Sequence, residues 1–328
     1  MPTWGGILKE LHKAQEEPGE GSAWDRVRRK YLIQMAEKTK RPVILYATRF
    51  LQGSLPIDPN LLSITDEDIQ GLMEVVHELE GPSLDLILHS PGGSLEAAAA
   101  FVSYLRSKYD DIRVVVPMMA MSAACMIACC SNKILMGKHS FLGPIDPQLV
   151  LSTSLGVRMV PAQAILDQFD LALLQCKQDK NALAAWAPML SQYGPDLLVQ
   201  CQNASQRSEH LVCKWLQENM FQEEADAKKK SKHIAEWLSD HKQHKSHSRH
   251  ITRDELITEG LFIERLEDDQ ELQDIVLSVY HAVTHTFSMT NTIKIIENNK
   301  GRAFVKSAIP PPPKTSSPSI NPQRNIPV

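Results

Sequence analysis

The sequence predicts an α/β fold on a parallel sheet covered by helices on both faces, and three observations predict it. Apolar runs of strand length recur at 42–50 (PVILYATRF), 84–90 (LDLILHS), 111–117 (DIRVVVP) and 132–137 (NKILMG). Segments with apolar residues at helical spacing alternate with them, and the turns between are short. The runs are almost continuously apolar rather than alternating, as strands buried on both faces must be. The 328 residues are 43% hydrophobic and 23% charged, ordinary usage for one large domain with appendages. A net charge of −4 and 6% aromatic content give no electrostatic or stacking ground for a nucleic-acid partner.

Taken in order, the first seventeen residues, MPTWGGILKELHKAQEE, are charged and amphipathic and lack the apolar centre of a signal peptide. They read as part of an N-terminal arm (1–22), with the cytoplasm as the expected compartment. Residues 23–40 form an amphipathic helix in this reading, and the segment from Ile64 to Leu79 a capped one, with Thr65 and Asp68 placed as a capping box. Helices over 94–108 and 122–131 complete a βαβαβ alternation. The charge-free stretch from Val114 to Asn132 reaches membrane-spanning length, but Pro117 and Ser122 divide it, which predicts a buried strand followed by a buried helix. The six cysteines, Cys125, Cys129, Cys130, Cys176, Cys201 and Cys213, form no CxxC pair and read as free thiols in a reducing compartment.

The α/β core is expected over 23–160. Residues 161–305 read as a helix-rich extension: helical hairpins with a Pro/Gly break at 188–195, a turn-helix-strand unit in HITRDELITEGLFIERLEDD, and an amphipathic helix at 270–286. From Ser307 the chain is rich in proline and serine, and the tail 306–328 is expected to be disordered or polyproline-like.

The stretch 84–148 carries the chemistry. Pro91-Gly92-Gly93 follows one strand and precedes an alanine-rich helix, and Ser122 opens the next helix after another strand. A serine at a strand-to-helix turn can act as nucleophile, while Gly92, Gly93 and the N–H of Ala123 can present oxyanion donors. Either turn alone is common in proteins with no such chemistry; on successive βα turns they point to acyl transfer.

HSPGG, the serine in AMSA and the LGPIDPQ turn resemble the Clp-peptidase/crotonase-like superfold. More narrowly, they resemble the serine dehydrogenase proteinase family, related to signal peptide peptidase A, and the likeness runs over roughly residues 25–300. The resemblance implies a spiral of ββα units with a helix-rich C-terminal extension and a serine endopeptidase acting on polypeptides through Ser122. It also implies a trimer-based or ring homo-oligomer, no cofactor, no metal, and membrane association left open. The family pattern reads closer to M-S-A-G-T, where this chain has Met121-Ser122-Ala123-Ala124-Cys125.

A general base is not evident from spacing. The Clp peptidases place a histidine about 25 residues after the serine, where this chain has Pro144-Ile145-Asp146-Pro147. The candidates are Lys138 or His139 beside the LGPIDPQ segment, then Lys177 and Lys180, then His247 or His250 in KSHSRHI. Asp146 is expected to shape its turn or orient a base. His241, His244, His247 and His250, spaced by three, read as a solvated basic loop. Two other readings share the same residues: an inactive or scaffolding member of the fold, and a crotonase-type acyl-CoA enzyme.

Overall fold

A computed structural model describes residues 2–53, 57–153 and 156–308; most of the Pro/Ser-rich tail lies outside the described residues. The strands are β1 (Val43–Thr48), β2 (Ser83–His89), β3 (Asp111–Val116), β4 (Met119–Ala120), β5 (Lys133–Met136), β6 (Phe141–Leu142), β7 (Gln148–Thr153), β8 (Gly156–Pro161), β9 (Ile251–Thr252), β10 (Ile263–Arg265), β11 (Thr292–Asn298) and β12 (Ala303–Ser307). The helices are α1 (Trp4–Glu16), α2 (Ala23–Thr39), α3 (Pro59–Leu62), α4 (Asp68–Val76), α5 (Leu95–Arg106), α6 (Ala123–Cys129), α7 (Ala162–Gln178), α8 (Ala182–Leu190), α9 (Leu197–Trp215), α10 (Ala227–Ser239), α11 (His241–His244), α12 (Arg253–Thr258) and α13 (Gln270–Met289).

The central sheet has the order β10-β5-β3-β2-β1-β11-β12. Its first five strands are parallel, while β11 and β12 add an antiparallel edge. On one face Ile44, Leu86, Val114 and Ile134 pack against α4, α5 and α6. On the other, Val43, Leu45, Ile87 and Val115 pack against α2 and α13. This two-sided burial explains the unbroken apolar runs. Val114 to Asn132 is strand, turn and buried helix, and no helix among the described residues is long and apolar enough to cross a membrane. The cysteines are free, and burial pushes the Cys130 thiol up to about 11.

One feature departs from the expectation, and one was not part of it. The helix expected from Ile64 begins only at Asp68, because the Ile64 backbone is taken up by the glycine turn: its N–H donates to Gly92 O at 2.8 Å and its carbonyl accepts from Ser94 at 3.0 Å. Half of the capping box forms. Asp68 Oδ2 accepts from the Thr65 N–H at 3.0 Å, whereas Thr65 Oγ1 is buried without a partner. The segment after Pro147 first makes a β7–β8 hairpin, and the helices follow it.

His89 closes β2 on the α13 side, its ring 4.7 Å from that of Phe50 and 5.1 Å from that of Tyr280. Its Nδ1 lies 3.2 Å from Met119 O, its Nε2 is buried without a partner, and burial lowers its pKa from 6.5 to about 3. The unfolded ring takes up a proton that the folded one refuses. Stability from this group is therefore complete above pH 6.5 and is lost as the pH falls toward about 3, by on the order of a few kcal/mol. Burial lowers His281 and His285 in the same sense. Urea midpoints across this window should fall steeply for the native protein and less steeply for His89→Phe.

Candidate active site

Three strand ends converge on Ser122. Met121 donates to Ser90 O at 3.0 Å and Ser90 to Met119 O at 3.1 Å, which ties β4 to the end of β2. β4 pairs in parallel with β6, and β6 antiparallel with β9. Past these pairs the β6 chain stays against the serine turn, since a Cβ on Gly143 would lie 3.2 Å from Met121 Cα, and three residues on from Gly143 the chain reaches Asp146.

Ser122 sits at φ 51°, ψ −122°, before the first residue of α6. A non-glycine residue held there carries about 1–3 kcal/mol of backbone strain, a cost that persists only where the surroundings enforce it. Small neighbours allow it: α6 is buried along its whole length by alanines, cysteines, Met126 and Ile127.

The glycine turn is fitted to this serine. A Cβ on Gly92 (φ 98°) would lie 2.6 Å from Met121 O and 2.8 Å from both Ala123 N and Ser122 Cβ; one on Gly93 would lie 2.3 Å from Ile64 N. Gly92 gives its N–H to Ser90 Oγ at 3.2 Å. No hydrogen bond among the described residues uses the N–H of Gly93 or of Ala123. Of the three expected oxyanion donors, the structure thus commits Gly92 to the turn and leaves Gly93 and Ala123.

A buried ion pair supports that turn from behind. Lys294 on β11 is fully buried, with Nζ 2.6 and 2.8 Å from the Asp68 carboxylate and 2.8 Å from Ser63 O. Tyr46 donates to Asp68 at 2.7 Å. Burial pulls the ammonium below its ordinary range, against Asp68, which favours the charge. With Asp68 gripping Thr65 and Lys294 gripping Ser63, Ile64 is bracketed, and Ile64 holds Gly92 and Ser94. Nothing in the sequence spacing marks Lys294, which lies far downstream on a strand the sequence reading left unassigned. Lys294→Met leaves the buried Asp68 unpaired and should lower stability by about 3–5 kcal/mol, measured by chemical denaturation.

Asp146 is 2% exposed and accepts from two histidines: Oδ1 lies 2.8 Å from His247 Nδ1 and Oδ2 3.0 Å from His241 Nδ1. A carboxylate on Nδ1–H fixes the tautomer that leaves Nε2 as an acceptor. The turn carrying Asp146 is clamped: Gly143 donates to Ala120 O at 3.3 Å, Ile145 to Leu238 O at 3.0 Å, and Ser208 Oγ to Ile145 O at 2.8 Å. The histidine run is therefore not a solvated loop. His244 is buried, with Nε2 2.7 Å from Trp237 O and Nδ1 2.7 Å from Arg249. His250 stacks on Phe141 at 5.0 Å.

Lys138 and His139 precede β6, so in the β4–β6 register they lie toward the end away from Ser122. The Lys138 N–H donates to Glu267 at 2.7 Å, and His139 faces His281 on α13, with its Nε2 buried and unpartnered. Lys177 and Lys180 are exposed at the end of α7.

A mostly parallel sheet covered on both faces, with a strained serine and a glycine turn at adjoining strand ends, defines the class: a mixed α/β protein. Residues 23–183, just under half of the chain, match the model of the ClpP-like SDH-type serine proteinase family, the family the motifs resemble. Two similar proteins come from Methanocaldococcus jannaschii. The uncharacterized protein MJ0137 is 34% identical over 37% of this chain and 43% of its own length. The uncharacterized protein MJ1495 is 31% identical over 32% of this chain and 34% of its own. The chain thus spans less than half the length of each.

Proposed function

We propose that the protein is a serine endopeptidase in which Ser122 is the nucleophile, His247 the general base and Asp146 its orienting carboxylate. The observation that carries this reading is the pairing of β4, β6 and β9, which gathers the serine turn and an Asp–His pair at one end of a small sheet. His247 takes the role ahead of Lys138, His139 and His241 because its hydrogen bond to Asp146 is the shorter of the two that Asp146 accepts.

In the first step the Ser122 hydroxyl proton passes to His247 Nε2 as Oγ bonds to the scissile carbonyl carbon. The carbonyl π electrons move to oxygen, and the N–H groups of Gly93 and Ala123 receive the oxyanion. Collapse breaks the C–N bond, and His247 gives its proton to the leaving amine. Water, deprotonated in turn by His247, then hydrolyses the ester and restores Ser122. The Ser122 hydroxyl makes no capping hydrogen bond to the helix it precedes, and Asp146 holds the charge that forms on the imidazole. Repetition of strand, short strand and helix in β3–β4–α6, together with the Ser90–Ala120 bridge beside β2 and α5, supports the ββα spiral.

Asp146→Asn keeps the hydrogen-bond geometry but no longer selects the tautomer. It should lower kcat on a peptide substrate by roughly 10⁴-fold with little change in KM. His247→Ala should match that loss, while His241→Ala stays within an order of magnitude of the native enzyme. Equal losses in both histidine variants would remove the assignment of the base.

A further inference from the structure

We infer that His241 is a positioning residue of the same site, holding the Asp146 carboxylate in the plane from which it meets His247. Its effect on turnover rests on the peptidase reading; the hold itself does not. A carboxylate removed from water is stable as an anion only when donors replace that water. Asp146 is 2% exposed, and among the described residues its donors are two imidazoles, His247 Nδ1 on Oδ1 and His241 Nδ1 on Oδ2. Neither a backbone N–H nor an arginine or lysine joins them there.

The torsion that turns a carboxylate about its Cβ–Cγ bond is soft, so a single hydrogen bond leaves the plane of the group loosely set. A second bond, on the other oxygen, fixes it. That matters to His247 because a carboxylate selects a tautomer and steadies a ring only while it lies in line with the Nδ1–H. A reacting group is held in its productive geometry by partners one bond removed, and His241 stands in that place. The His241 side chain is itself mostly buried, 17% exposed, so its ring is held by the fold rather than drifting in solvent.

The chain is built to bring both rings to one group. α11 is a single turn capped by Asp240, whose Oδ1 accepts from the N–H groups of Lys242 at 2.9 Å and Gln243 at 3.1 Å. It ends at Lys245, a non-glycine residue at φ 60°, ψ −4°, whose N–H donates to His241 O at 2.7 Å. This left-handed residue closes the turn, and two residues on, His247 reaches the carboxylate that His241 already holds. The charged neighbours are engaged elsewhere: Lys242 meets Asp167 on α7 at 3.1 Å, and Arg249 pairs with Glu255 and with His244 Nδ1. None of them competes with the two imidazoles for Asp146.

Kinetics on a peptide substrate and proton–nitrogen spectra of the histidine rings test this on the full chain, in the native protein, His241→Ala and His241→Asn. Far-ultraviolet circular dichroism checks that each variant folds. Asparagine carries an N–H where the imidazole Nδ1–H lies. His241→Ala should lower kcat by about three- to tenfold, the size of one hydrogen bond, with KM unchanged, and His241→Asn should recover most of that loss. The His247 Nδ1–H signal, sharp in the native protein and in His241→Asn, should broaden or vanish in His241→Ala. A His241→Ala variant with native kcat and a native His247 signal, or an asparagine variant no better than the alanine one, would overturn the inference. The spectra read the hold without turnover: a native protein inactive on peptides that still shows this pattern would end the peptidase reading and leave the hold standing. If His241→Ala fails to fold, His241→Phe, which keeps a ring and lacks the donor, decides.

Discussion

Ser122→Gly should abolish peptidase activity and, in the same molecule, raise stability. Removing the proposed nucleophile should lower kcat by roughly 10⁵-fold or more where serine and histidine act as a unit. Glycine adopts φ 51°, ψ −122° without the strain that serine bears there, so the unfolding free energy should rise by about 1 kcal/mol or more. Ser122→Ala separates the two effects: it loses the same activity but retains the strain. Denaturation midpoints and turnover on one peptide substrate, measured for the three proteins side by side, check both halves. A protein that keeps serine in this backbone for its chemistry gives up stability to do so; a purely structural serine would show no such opposition.

Gly93→Ala should produce the largest loss of stability of any single methyl group added to the chain. The new Cβ would meet backbone atoms, Ile64 N at 2.3 Å and Ile64 O at 2.4 Å, and backbone cannot yield as a flexible side chain does. A cost of roughly 4 kcal/mol or more is expected, read as a shift in denaturation midpoint with loss of activity in whatever remains folded. Gly92→Ala acts on the serine turn directly, since its Cβ would press on Met121 O, Ala123 N and Ser122 Cβ. It should lose activity before it loses the fold. Gly81→Ala offers a control, because Gly81 also has positive φ but open space around its Cβ position; its cost should be confined to backbone strain.

Local pattern carried the parallel core. Strands β1, β2, β3 and β5 fall where their apolar runs lie, and α2, α5, α6 and α13 start within a residue or so of the expected positions. The antiparallel edge was not legible. In β11, IKIIEN puts Lys294, Glu297 and Asn298 into buried positions, and only their partners make such a strand possible: Asp68 for Lys294, Arg28 and Arg29 for Glu297. The helix expected from Ile64 starts late, at Asp68, for a related reason. Its local sequence permits a helix, but the Gly93 turn, some thirty residues on, takes its backbone hydrogen bonds.

The site divides in the same way. Ser122 and the glycine pair are visible because a strand-to-helix turn is a local feature with a local composition. The division of labour between Gly92 and Gly93 depends on Ser90 Oγ, a tertiary detail. The partnership of Asp146 with His241 and His247 joins positions about a hundred residues apart through the pairing of two-residue strands, too short to announce themselves by periodicity. A histidine every third residue reads as a solvated run, but His241 and His247 share Asp146, His244 meets Trp237 O and His250 stacks on Phe141.

The central claim is that Ser122 is a nucleophile activated by His247. Intact-protein and peptide mass spectrometry after treatment with a fluorophosphonate probe tests it most directly. One covalent adduct is expected, mapped to Ser122, absent in Ser122→Ala and formed far more slowly in His247→Ala. A folded native protein that acquires no adduct at Ser122, or a His247→Ala variant that labels at the native rate, would contradict it.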